Sequence, residues 1–195
     1  MTATLLESIT SAKGEVVVDD DLYEIIDGQR IGLPAMGIFA IWLANDICHY
    51  LNSFARTQNL GWVMSEALFH LPTPIERDRR PDVAFVSYQR WAKSQPIPRT
   101  GNAWDVVPNL AVEVVSPTDG AEALTDKVDE YFRAGVDLVW VVFPRRSQIY
   151  VYQSPIKITV LGAADVLDGG AVIAGFRLPL ADLFTDPAPD GAPSE

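Results

Sequence analysis

The stretch NLAVEVV at 109–115 places one carboxylate, Glu113, inside a run of Leu, Ala and Val. On a strand the side chains alternate, so Leu110, Val112 and Val114 share one face while Ala111, Glu113 and Val115 share the other. An ionised carboxylate among such neighbours costs several kcal/mol unless donors or a cation compensate it. Two readings are open for Glu113 alone. It pairs with a buried arginine or accepts backbone donors, or it holds a metal ion. Asp82 raises the same question. It follows RRP and opens PDVAFVS, a second apolar run. Turn aspartates are common in such places, but two carboxylates on adjacent strands would hold a hard divalent cation and leave room for water and phosphate. The third residue is Lys127. With a helix projected from 119 to 134 at about 100° per residue, Leu124, Val128, Tyr131 and Phe132 form the apolar stripe. Asp126, Asp129, Glu130 and Arg133 fall on the far side. Lys127 lies at the border of the stripe, where it either snorkels to solvent or delivers its ammonium inward. An inward ammonium beside a metal can orient a water or offset charge that builds on a phosphate.

The elements that must position these residues read as follows. LYEIIDGQRIGLP holds two short apolar runs around Asp27-Gly28, a strong hairpin signal. From Gly37 to about Ala55, Phe39, Trp42, Leu43, Ile47, Tyr50, Leu51 and Phe54 recur at helical spacing and predict a long, mostly buried helix. GWVMSEALFHL and PDVAFVS are read as strands separated by the charged PTPIERDRR, and residues 88–107 as irregular. NLAVEVV is a buried strand. Thr118 or Asp119 would cap the helix after it and Gly135 would stop that helix. DLVWVVFP and QIYVYQ form a strand pair around Arg145-Arg146-Ser147, and KITVLG and AVIAGFRLPL supply further strands. The fold class is α/β, a mixed sheet flanked by helices.

At 195 residues the chain is read as one domain over 1–186, with 1–14 loosely held and a disordered Pro-rich tail at 187–195. No apolar run is long enough to span a membrane. The single cysteine, Cys48, excludes an internal disulfide and a cysteine-based zinc cage, and points to a reducing, cytoplasmic setting. With only two histidines, the metal option that remains is oxygen ligation, which suits Mg²⁺ or Mn²⁺. The net charge of −11 argues against a simple nucleic-acid binder. Basic residues nevertheless gather at Arg77, Arg79, Arg80, Arg90, Lys93 and Arg99, either as a solvated loop or as phosphate contacts.

RRPDVAFVS, LAVEVVSPTD, LTDKVDEYFRAGV and LVWVVFP with IYVY resemble the bacterial Uma-type restriction endonuclease family of the PD-(D/E)XK nuclease superfamily. The LYEIIDGQRIG hairpin fits the same family, and the likeness runs over roughly 20–180. The resemblance implies a restriction-endonuclease-like fold and Mg²⁺-dependent cleavage of DNA. It maps Asp82 onto the first metal-binding acid and Glu113 onto the acid of the (D/E)XK element. The superfamily lysine would fall at Val115; here the family's lysine comes from the following helix, at Lys127. Glu24 matches a recurrent acid of the N-terminal hairpin, and Val114 would lend its backbone carbonyl to the metal. A histidine that family members often carry before the long helix is absent from LPAMGIFAIWLA. By analogy with enzymes that cut both strands of a duplex, a homodimer is expected. The alternatives are a non-catalytic binding or regulatory protein on the same fold and a glycosidase using Glu113 and Asp82. The glycosidase would leave Lys127 without a task.

Overall fold

The computed structural model describes residues 22–116 and 119–185. The expectations for 1–14, for 187–195 and for Thr118 as a helix cap lie outside the described residues. The chain opens with β1 (Tyr23–Ile26) and β2 (Gln29–Gly32), joined through Asp27 and Gly28 at φ 52° and 73°. Two consecutive positive φ values make the twisted turn that Asp-Gly favours. Helix α1 (Ile38–Thr57) follows. It buries Ala40, Leu43, Ala44, Ile47, Leu51 and Ala55, one stripe at helical spacing, but its first turn leaves Ile38, Phe39 and Ile41 exposed.

GWVMSEALFHL is two strands rather than one. Glu66, at φ 50°, breaks it into β3 (Gly61–Ser65) and β4 (Phe69–Leu71), which join different sheets. PTPIERDRR is likewise more than a separator: it contains β5 (Arg77–Arg79). Then come β6 (Val83–Ser87), β7 (Leu110–Val114), helix α2 (Ala121–Ala134), β8 (Leu138–Phe143), a 3₁₀ turn at Pro144–Arg146, β9 (Gln148–Ser154) and β10 (Lys157–Gly162). Of AVIAGFRLPL, only β12 (Arg177–Pro179) is a strand, paired with β11 (Val166–Asp168), and Leu180 begins the short helix α3 (Leu180–Phe184).

The main sheet has the order β10-β9-β8-β7-β6-β3, with β7 and β8 parallel and their neighbours antiparallel. Its two faces are both covered at the centre. Leu110, Val112, Val114, Trp140 and Val142 pack with α1 on one side, whereas Ala111, Val139 and Val141 pack with Val128 and Tyr131 of α2 on the other. A second sheet, β2-β1-β5-β4, attaches the hairpin to the body. Gly135 ends α2 at φ 99°, a left-handed stop that its lack of a Cβ permits. The start of α2 differs from expectation: Gly120 is its N-cap, with no side-chain cap, and the Asp119 carboxylate instead accepts the Ser116 amide at 2.7 Å.

Candidate active site

Strands β6 and β7 pair with Val83 opposite Val112 and Ala84 opposite Ala111. One step further along this register, Asp82 stands opposite Glu113. Opposed residues of an antiparallel pair point to the same face, and here that face meets α2. Helix α2 begins after the short connection from β7 and lays Lys127 and Tyr131 over Glu113. The Lys127 Nζ lies 2.9 Å from Glu113 Oε2, and the Tyr131 hydroxyl donates to Glu113 Oε1 at 2.6 Å. Lys127 also reaches Glu24 Oε1 at 2.9 Å. Asp82 Oδ2 accepts the Val114 amide at 2.5 Å. The structure therefore brings together all four sequence-predicted side chains, Asp82, Glu113, Lys127 and Glu24, with Val114 beside them. They line one cleft, walled by Leu22 and Leu33 of the hairpin flanks and by Ala123 and Leu124 of α2.

Sequence reasoning missed the support behind this group. Arg79 is 7% exposed and donates to Glu24 Oε2 at 2.7 Å and to Glu130 Oε2 at 2.8 and 2.5 Å. Arg77 bonds the same Glu130 and reaches Asp27 Oδ1 at 2.8 Å. Glu130, expected on the solvent side of α2, is buried, because the second sheet packs against that flank. Two signals pointed there. Arg77 and Arg79 are spaced for one face of a strand, and Glu130 stands three residues after Lys127. Of the basic cluster, Arg77 and Arg79 are thus bound into ion pairs. Arg80 is turned to the carbonyls of Tyr23 and Glu66, and Arg90 holds Asp137 and the carbonyls of Val107, Pro108 and Gly135.

The electrostatics divide the group. Burial opposes charge on Glu24, but Lys127 and Arg79 outweigh it and hold that carboxyl below its ordinary range. Burial and the neighbouring Glu113 carboxylate push Asp82 up to about 7, against the Val114 amide and Lys127. Glu113 is raised as well, chiefly by burial. Burial disfavours the Lys127 ammonium, yet Glu113 and Glu24 together raise its pKa above the usual lysine value, so it stays charged. Tyr131 is raised well above ordinary tyrosine, first by burial and then by Glu113, and remains a hydrogen-bond donor.

The donor set suits a hard cation. Lys127 divides its ammonium between Glu113 and Glu24, Asp82 makes no ion pair among the described residues, and burial first of all raises both Asp82 and Glu113. Each carboxylate oxygen can accept more than one bond, so the contacts from Lys127, Tyr131 and the Val114 amide leave lone pairs for an ion. Among the described residues no group of three or more His, Cys, Asp or Glu side chains could hold a metal. A bound ion would draw on the Val114 carbonyl, water and substrate oxygens for the rest of its shell, as Mg²⁺ commonly does.

A mixed sheet carrying two opposed carboxylates and an inward lysine at one cleft, with helices on both faces, is a nuclease-like architecture. The crystal structure of a "putative nuclease belonging to DUF820" from Anabaena variabilis superposes with a TM-score of 0.73 at 17% identity, covering 85% of this chain and 90% of that one. The family model described as "Putative restriction endonuclease", Uma2, matches residues 17–181, and the chain belongs to that family. Among curated proteins, no sequence matches. No helix among the described residues is long and apolar enough to cross a membrane.

Proposed function

We propose that the protein is a metal-dependent endodeoxyribonuclease that hydrolyses DNA phosphodiester bonds with Mg²⁺ or Mn²⁺. The observation that carries this reading is the pair Asp82 and Glu113, opposed across β6 and β7, with the Lys127 ammonium 2.9 Å from Glu113 in an open cleft. Asp82, Glu113 and the Val114 carbonyl would hold the ion. When bound, such an ion supplies Lewis-acid polarisation of a phosphoryl oxygen and lowers the pKa of a water. Tyr131 fixes Glu113 in one rotamer through its 2.6 Å bond. Lys127, whose charge Glu113 and Glu24 favour, offers a cation at the point where negative charge builds on the phosphate. Glu24, itself held by Arg79, keeps Lys127 on the cleft side of α2. The reading extends to a homodimer, which would set two such clefts on the two strands of a duplex, and to a cytoplasmic setting.

A second reading has its own observation. Both oxygens of Glu113 already have protein donors, Lys127 and Tyr131, as they would in a nuclease fold retained for binding without catalysis. One experiment separates the two: cleavage of single-stranded, double-stranded and branched DNA in Mg²⁺, Mn²⁺ and EDTA, with Asp82→Asn beside the wild type. The nuclease reading expects cleavage in either metal, none in EDTA, and a loss of more than about 10³-fold in Asp82→Asn. Cleavage that survives EDTA or Asp82→Asn would overturn it. So would the absence of Mn²⁺ binding by the wild type.

A further inference from the structure

Because β7 and β8 run parallel, their C-terminal ends lie side by side, and Val114 stands next to Val142. Glu113 and Val114 end β7; β8 continues into the 3₁₀ turn that carries Arg145 and Arg146. These two arginines therefore stand on the same rim as the candidate active site. Between them and the first turn of α1 lies a second groove, lined by Phe39, Val115, Ser116, Phe143, Arg145 and Arg146. Ser116 also lines the carboxylate cleft, so the two depressions adjoin at this residue.

The groove's chemistry differs from that of the cleft. Its walls are largely apolar and aromatic. Phe39 is 41% exposed, and its ring is stacked on Trp42 at 5.6 Å between centroids and 17° between planes, which holds it in one orientation. Arg145 and Arg146 are exposed, and neither is paired with a carboxylate of a described residue. Arg77, Arg79 and Arg90, by contrast, are tied to Glu130, Glu24 and Asp137. On a chain of net charge −11, an adjacent pair of uncompensated arginines beside an exposed aromatic ring is complementary to a phosphate and a base.

Resting on the nuclease reading, we propose that this groove is the subsite for a nucleotide of an unpaired DNA strand that flanks the scissile phosphate, its base against Phe39 and its phosphate on Arg145 and Arg146. An aromatic face gains a base only where that base is not already stacked in a duplex. The groove thus favours single-stranded or frayed substrate over continuous duplex.

The test is fluorescence anisotropy of a labelled oligo-dT 12-mer and of the matching duplex, in EDTA so that nothing is cut. Wild type is compared with Phe39→Ala, Phe39→Tyr and the double variant Arg145→Ala/Arg146→Ala. All three positions are exposed, and thermal melts establish that each variant is folded. Phe39→Ala should weaken the oligonucleotide about 10-fold and the duplex hardly at all, and Phe39→Tyr should restore wild-type binding. The double arginine variant should lower the salt slope for the oligonucleotide by about 1.4. Unchanged oligonucleotide binding in these variants, equal loss on both DNAs, or no binding by the wild type would overturn the subsite. A parallel Mg²⁺ cleavage assay keeps the two ideas apart. Failure to cleave, with the expected binding pattern intact, removes the nuclease reading and leaves the groove. Cleavage with unaltered binding in the variants removes the groove alone.

Discussion

Two halves of one polar cluster are built from the same residue types and behave oppositely. Glu24, Arg79, Glu130 and Arg77 close on one another: two carboxylates meet two guanidinium groups, and Glu24 is held below its ordinary pKa. Next to it, Glu113 has to share the Lys127 ammonium with Glu24, Asp82 makes no ion pair among the described residues, and both Asp82 and Glu113 are raised. The first half has the charge balance of a structural brace. The second has two carboxylates, Asp82 and Glu113, and only part of one ammonium. Burial alone does not set the direction in which a carboxylate shifts; the completeness of its partners does.

The contrast can be broken most forcefully at Arg79. Arg79→Met should leave Glu24 and Glu130 buried without their shared cation and cost about 3–5 kcal/mol of stability, read by urea unfolding, and Mg²⁺ should recover little of it. Full recovery in Mg²⁺ would mean that the two halves are a single site. Lys127→Met comes next. Single-turnover cleavage at saturating Mg²⁺ should slow by about 10²–10³-fold, while Mn²⁺ affinity is kept or rises, since a competing positive charge has gone. In EDTA the variant should also lose stability, because Glu24 and Glu113 both lose a partner, and here metal should restore it. Wild-type cleavage rates would reduce Lys127 to a structural lysine.

The pH dependence sharpens the same division. In EDTA the folded protein keeps a proton on Asp82 up to about 7, whereas the unfolded chain releases it near 3.8. Between those values the native state binds more protons, so this group's contribution falls as pH rises. Three pKa units correspond to at most about 4 kcal/mol, and partial access to water brings the expected loss nearer 2 kcal/mol. Urea midpoints at pH 5 and pH 8 measure it, and Asp82→Asn should flatten the difference. A slope of opposite sign would show that Asp82 is already neutralised by protein cations. A comparable or smaller effect is expected from Tyr131→Phe, which removes one hydrogen bond to a charged group and should cost no more than about 1.5 kcal/mol, with a several-fold loss of Mn²⁺ affinity.

The convergence of Asp82, Glu113 and Lys127 was legible in the sequence because Glu113 interrupts an apolar strand, Asp82 opens one, and Lys127 borders the apolar stripe of a helix. The hairpin turn and the Gly135 stop were legible for a local reason, since positive φ selects Asp, Asn and Gly. Glu24 was reached only through the family resemblance. Its two partners, Arg79 and Lys127, are remote in sequence, and no local period links them to it. Glu130 was misplaced because a helix projection assumes one buried face, and α2 is packed on two: against the main sheet through Val128 and Tyr131, and against the second sheet through Glu130. Residues 77–79 read as part of a charged separator, although Arg77, Asp78 and Arg79 tie this strand to its neighbours through Asp27, His70 and Glu24.

The N-terminal hairpin has an unusual attachment. Every residue of β2 is exposed, and the one fully buried residue of β1 is Glu24. Beyond the pairing of β1 with β5, the hairpin is therefore moored to the body at a carboxylate rather than by a fully buried apolar side chain. Its local opening should follow the protonation of that group. Docking is complete above the normal carboxylate range and fails as pH drops through the depressed Glu24 value. Once the pH is taken below the ordinary carboxylate range, the amides of residues 23–32 should exchange with solvent as one cooperative unit, ahead of those in the main sheet, and the cleft would lose one wall before the domain unfolds.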